Sequence, residues 1–186
     1  MAVVTADQVA LYSDISASAG TITSSGLIDV VQDRIGIICN NRFTTELFKT
    51  STVTFNATAR TIVAGTDWDE DGFAAGDEVY VHHSYRNDGY YDVLSLSDET
   101  MTLATGESVI EELSGRTIIV SVVRWPTDIT YLAAQMVAFD YDKRGERDGI
   151  KSQSLGPWSE SYGMLTLGYP EGIINGLSSY RIVEVA

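Results

Sequence analysis

Apolar residues recur at helical steps through the first third of the chain, and then the period changes. Thr5 stands where a cap belongs, ahead of a short helix to about residue 13 with Ala6, Val9, Ala10 and Leu11 on its apolar side. The polar stretch at 16–25 is expected to end it. A second helix is predicted over about 25–40, because Leu27, Ile28, Val31, Ile35 and Ile38 form the stripe that one helix face buries. Asn40 and Asn41 supply a stop, since asparagine tolerates the left-handed conformation.

From about 51 to 125 the pattern is that of strands. Short runs at 52–55, 61–63, 78–82, 90–94 and 100–103, and a longer one at 116–125, are rich in β-branched and aromatic residues. Turn residues separate them, among them Ala75-Gly76-Asp77, Asn87-Asp88-Gly89 and Ser114-Gly115. Strands so short and so spaced predict a small antiparallel barrel or sandwich. Helix is expected again after Trp125-Pro126, with Thr127 and Asp128 suited to its free amides and Ile129, Leu132, Ala133, Met136 and Val137 at helical steps. Lys143, Arg144 and Gly145 close it. A hairpin-like segment at 151–168 leads to Tyr169-Pro170-Glu171, which opens a last short helix carrying Ile173, Ile174, Leu177 and Tyr180. The tail at 181–185 alternates as an extended strand would.

The expected fold class is therefore α+β. A helical core of three to four helices, residues 1–50 and 126–186, is interrupted by a small antiparallel β-barrel or sandwich inserted at 51–125.

Charge narrows the functions open to such a chain. Asp and Glu number 26 against 12 Lys and Arg, a net charge of -14, and a surface of that sign repels phosphate. Tight wrapping of DNA is not expected; a conduit through which DNA slides gains from walls that do not grip it, and simple solubility accounts for the same charge. The mean hydropathy of +0.00 is that of a soluble globular chain. No run approaches the roughly 18 apolar residues of a membrane span. The start shows no basic segment followed by an apolar one, so synthesis and residence in the cytoplasm are expected. Cys39, the single cysteine, is expected to be a small buried hydrophobe.

Few motifs carry chemistry. Asp67, Asp69, Asp71 and Gly72, followed by Glu78, fit the spacing of a calcium loop. That loop needs a helix on each side, and both flanks here read as strands, so a solvated acidic turn is the expectation. His82 and His83 are neighbours on a strand and are expected on opposite faces, where they hold no common metal. The rings of Trp68, Phe73, Tyr80, Tyr85, Tyr90 and Tyr91 are expected in the core, with a carbohydrate-binding patch as the alternative. Lys143, Arg144, Arg147 and Lys151 form the one basic cluster, either in salt bridges with Asp142, Glu146 and Asp148 or facing an acidic neighbour or DNA. No nucleophile–base pair, Walker loop or zinc motif is present, so no catalytic residue, cofactor or metal is assigned.

The order of these elements, with the phrase at 149–162 and the closing Tyr169-Pro170-Glu171 and Leu177-x-x-Tyr180-Arg181, resembles the head–tail connector (adaptor, head-completion) family of tailed phages. Ser152, Ser154, Leu155, Gly156, Trp158 and Ser159 occupy the matching places of the first phrase. Gln153 and Trp158 depart from it, standing where an acid and a tyrosine are common. The likeness covers residues 1–43 and 126–186, with 52–125 as an insertion. It implies a structural virion protein of the phage neck, without chemistry, forming a homo-oligomeric ring, usually dodecameric, beneath the portal. DNA would pass through the lumen without sequence-specific contact, and tail, stopper or other neck proteins would dock on the far side. The resemblance makes Ser154, Leu155, Gly156, Trp158, Tyr180, Arg181, Ile182, Val183 and Val185 the candidate contacts to the portal or to a neighbouring copy. The alternative is a calcium- or carbohydrate-binding β-module carried on a virion or tail protein.

Overall fold

The computed structural model describes residues 2–13, 15, 17–65, 67–113, 117–143, 152–155, 158–161, 165–166 and 168–183, with the backbone alone at 50–51, 152–155, 158–161 and 165–166. Contacts divide the chain into two units, one formed by Arg42–Trp125 and the other by Ala2–Asn41 with Pro126–Ala186.

The first unit is a seven-stranded antiparallel sheet in the order β1-β7-β4-β5-β6-β3-β2. Its strands are β1 (Thr44–Thr52), β2 (Thr54–Asn56), β3 (Thr61–Val63), β4 (Glu78–His82), β5 (Gly89–Ser97), β6 (Thr100–Leu103) and β7 (Thr117–Val123). The two strands at the ends of that order, β1 and β2, are consecutive in the chain and separated only by the buried Val53. One stretch therefore pairs with β7 through its first part and with β3 through its last, and the sheet must curl to bring both ends to it. The curl encloses a core in which Phe55, Ile62, Trp68, Met101, Leu103 and Ile118 are almost wholly removed from water. Trp68 meets Phe73 edge-on at 5.1 Å between ring centroids, and its indole N–H donates to the Glu99 carbonyl at 2.9 Å. A buried indole is stable only with such an acceptor.

The second unit carries α1 (Ala6–Tyr12), α2 (Ala19–Ser24), α3 (Leu27–Cys39), α4 (Thr127–Asp142) and α5 (Glu171–Ser178). It also holds the two-stranded pairs β8 (Ser152–Leu155) with β9 (Trp158–Ser161), and β10 (Leu165–Thr166) with β11 (Tyr169–Pro170). Thr5 and Gln8 form a reciprocal capping box at the start of α1. Arg34 of α3 and Tyr169 both donate to Asp140 Oδ2 of α4, at 2.9 and 2.7 Å. This cluster ties the two chain segments of the unit together around a tyrosine that is 1% exposed.

The expected architecture, a helical core carrying a small β insertion, is overturned. The sheet dominates, and the helices are short, with 7, 6, 13, 16 and 8 residues. The sheet was under-read because β1 starts at Thr44. Thr44-Thr45-Glu46 does not alternate in polarity, and pairing with β7 slips between Thr44 and Phe48. The polar stretch expected to break helix holds α2 instead, where Ser18 caps the Thr21 amide and Ile22 alone is buried.

Two outcomes follow. Replacing Asp140 with alanine leaves the buried Tyr169 hydroxyl without its acceptor and should cost roughly 1–3 kcal/mol of stability in urea unfolding. In the sheet unit, burial pushes the Tyr90 and Tyr91 hydroxyls up to about 12, for Tyr91 with the help of nearby Glu107, Asp88 and Glu112. Tyr91 donates to the Asn87 carbonyl, a bond its phenolate loses. Both folded values lie above the unfolded one of about 10. Their contribution is thus whole below pH about 10 and is lost as pH rises toward about 12. Phenolate absorbance should follow unfolding of the sheet in that window, and Tyr91→Phe should lessen the pH dependence.

Candidate functional site

Three helices of the second unit leave a groove of about 520 Å3, lined chiefly by Tyr12, Asp128, Tyr131, Leu132, Gly176 and Tyr180. Tyr12 is the last residue of α1, Asp128 and Tyr131 lie in the opening turns of α4, and Tyr180 follows α5. Tyr12 and Tyr131 meet edge to face, with ring centroids 5.7 Å apart. The Tyr180 hydroxyl donates to Asp128 Oδ2 at 3.2 Å. Asp128 also stands where the free amides of α4 favour negative charge. Gly176 allows the close approach of α5 to α4, because a Cβ there would meet Leu132 Cδ1 at 2.9 Å. The groove thus combines aromatic rings, hydroxyls and one carboxylate. Such a lining can hold a ligand through ring contacts and hydrogen bonds.

Of the residues singled out by the resemblance, Tyr180 lines this groove. Arg181, Ile182 and Val183 follow it, exposed and outside any strand. They are held to the end of α3, where the Ile182 amide donates to the Cys39 carbonyl at 2.9 Å and Asn40 Nδ2 donates to the Ile182 carbonyl. In the β8–β9 hairpin Ser154 pairs with Ser159 and Leu155 with Trp158. Gly156 and Val185 lie outside the described residues, as do Arg144, Arg147 and Lys151 of the basic cluster. Tyr12, Asp128 and Tyr131 had no place in the sequence reading as contact residues. The available signal was Tyr131, a bulky ring set off the apolar stripe of Ile129, Ala133 and Met136.

Three of the four calcium-loop carboxylates have other partners. Asp71 pairs with the buried Lys49 ammonium at 2.7 Å, and Lys49 also donates to the Asp67 carbonyl. Asp67 Oδ1 accepts from the Asp69 amide. Glu78, 3% exposed, accepts from the Trp125 indole at 2.6 Å. The loop joins β3 to β4 with no helix on either flank, and among the described residues no group of three or more ligand-type side chains is gathered for a metal. The histidines depart from expectation. His83 leaves the strand with φ of +72°, so its ring comes to 4.1 Å from that of His82. Of the rings proposed for a sugar platform, Trp68, Phe73 and Tyr91 are core, Tyr80 and Tyr90 are half-buried, and Tyr85 is exposed. Cys39 is buried, donates weakly to the Leu177 carbonyl, and has its thiol pushed up to about 11 by burial, which leaves it inert.

Neither a protein-family model nor a curated protein matches this chain.

With Asp71 and Glu78 already satisfied, calcium at about 1 mM should leave the thermal unfolding of the protein unchanged. A rise in Tm on adding calcium, abolished by Asp69→Ala, would reverse that conclusion.

Proposed function

We propose that this chain is a structural subunit of a tailed-phage neck, an adaptor that joins portal to tail in a closed ring and forms part of the DNA conduit. The role needs no chemistry and no cofactor. The ring is built from copies of the chain, with portal protein on one side and tail or stopper proteins on the other. DNA passes through the lumen without sequence-specific contact.

The observation that carries the proposal is the number of bulky apolar side chains that the helical unit leaves outside. In α1 the one fully buried side chain is Val9, while Leu11 is 74% exposed; on α3 Ile37 is 70% exposed and Val30 also faces water. Single exposed apolar residues are ordinary, but helices of this length that bury one narrow stripe have spare faces. Neighbouring copies in a closed ring cover such faces without leaving an edge. The net charge of -14 supports the same role, because an acidic wall does not hold the phosphates that slide past it. Among the described residues no helix is long and apolar enough to cross a membrane.

The alternative, a calcium- or carbohydrate-binding module, has less support. Three of its four carboxylates and half of its rings are used within the sheet unit.

Electron microscopy of particles assembled without this protein should show heads, filled or leaking, that lack tails. Normal tails on such particles would remove the role.

A further inference from the structure

Three tyrosine rings and one carboxylate line the groove beside α4, and that lining favours an organic cation. Phenol faces present negative potential, and the Asp128 carboxylate adds a full charge beside them. Tyr12 and Tyr131 meet edge to face, a contact that engages one face of one ring and leaves the other faces open. Asp128 is exposed and accepts from the Tyr180 hydroxyl. Among the described residues no lysine or arginine pairs with it; the described pairs of that kind join Arg34 to Asp140, Lys49 to Asp71 and Arg124 to Asp77. Among the same residues no cation lies over Tyr12 or Tyr131, since those stacked on rings sit at Tyr169, Tyr80, Trp68 and Phe139.

The openness of the groove decides how such a cation is delivered. Sites for free small molecules cover most of the ligand's surface. Here Tyr12 and Tyr131 are themselves 36% and 46% exposed, and Thr127 and Ser179 of the lining are exposed as well. A free cation would keep much of its water on the open side. One carried by another protein is covered on that side by the surface that bears it. Leu11, next to Tyr12 on α1, is 74% exposed and offers that surface an apolar neighbour. Tyrosine and arginine are also the residues that protein interfaces concentrate at their energetic centres.

We propose that the groove of Tyr12, Asp128, Tyr131 and Tyr180 receives an arginine side chain that a partner protein presents with apolar residues beside it. Arginine is favoured over lysine because a planar guanidinium stacks on a phenol ring while it pairs with a carboxylate. The inference goes beyond the adaptor role and does not rest on it, since the chemistry of the groove is the same whatever assembly the chain joins.

The test titrates the full-length chain with a probe peptide, acetyl-Gly-Leu-Arg-Leu-Gly-amide, and follows amide chemical shifts. Shifts should saturate at Tyr12, Asp128, Tyr131 and Tyr180, and binding should weaken as salt is added. Asp128→Asn and Tyr131→Ala should each weaken it roughly three- to fivefold. Both side chains are exposed, so the fold should survive, and circular dichroism checks this. Asp69→Asn, which removes a charge from an exposed position of the sheet unit, should leave binding unchanged. A probe with lysine for its arginine should bind more weakly, and one with citrulline, which keeps the shape without the charge, should cause no shifts. Shifts spread over the acidic surface, or binding unaltered in Asp128→Asn, overturn the site. Free arginine amide that binds as tightly as the peptide overturns the protein-borne occupant and makes the groove a site for a small cation. The adaptor role is decided separately, by the particles lacking the protein.

Discussion

One bent stretch of chain, Thr44–Thr52 running through Val53 into Thr54–Asn56, must serve as the strand at both ends of the same sheet. A flat sheet does not allow that. Curling follows, and with it an interior that takes a tryptophan, a phenylalanine and several large aliphatic side chains at almost no exposure. The same bend brings the unit's chain ends together. Phe43 and Trp125 meet at 4.7 Å between ring centroids, and the Arg124 amide donates to the Phe43 carbonyl. A β unit whose ends are adjacent interrupts a helical unit at little cost, because the loop it closes is short in space although long in sequence.

The helical unit depends on that economy. Its core is assembled from segments on either side of the β unit, and Arg34, Asp140 and Tyr169 are the polar tie between them. Asp140 is the polar exception at the end of an otherwise apolar helical stripe. In the sequence it looks like a surface residue that ends the helix. In the fold it accepts from a buried phenol and a guanidinium at once, which fixes how α3, α4 and the Tyr169 segment meet.

What the sequence disclosed follows from the range of the interactions involved. Local signals were legible: the Thr5 cap, the stripe of Val31 and Ile35, the stop at Asn40, and the α4 face of Ile129, Ala133, Met136 and Val137. Distant partners were not. The calcium spacing was complete, yet Asp71 is answered by Lys49 and Glu78 by Trp125, pairings that no local pattern encodes. The balance of helix and sheet was misjudged because β1 is held by cross-strand bonds to β7 rather than by alternation of its own side chains. Short α2 was hidden for the opposite reason, since one buried Ile22 and a serine cap are too little pattern against a polar background. His83 escaped strand logic through a positive φ that only the folded turn imposes. The groove was invisible as a unit, its rings coming from three helices that are far apart in sequence.

Charge bears on both units. Several cations are spent on internal work: Lys49 is buried between Asp71 and the Trp68 ring, Arg124 is held by Asp77, and Arg34 by Asp140. Lys49 is hidden from water, while Arg34 and Arg124 stay partly exposed with their charges answered by a neighbouring carboxylate, so the surface keeps the acidic balance of the composition. Two such surfaces repel at long range, within the limit that salt screening sets. Contacts between copies of so acidic a chain have to overcome that repulsion locally, as the covering of exposed apolar side chains such as Leu11 and Ile37 would. A surface of this kind disfavours loose self-association and permits a specific, oriented contact, the behaviour that the proposed ring subunit would need.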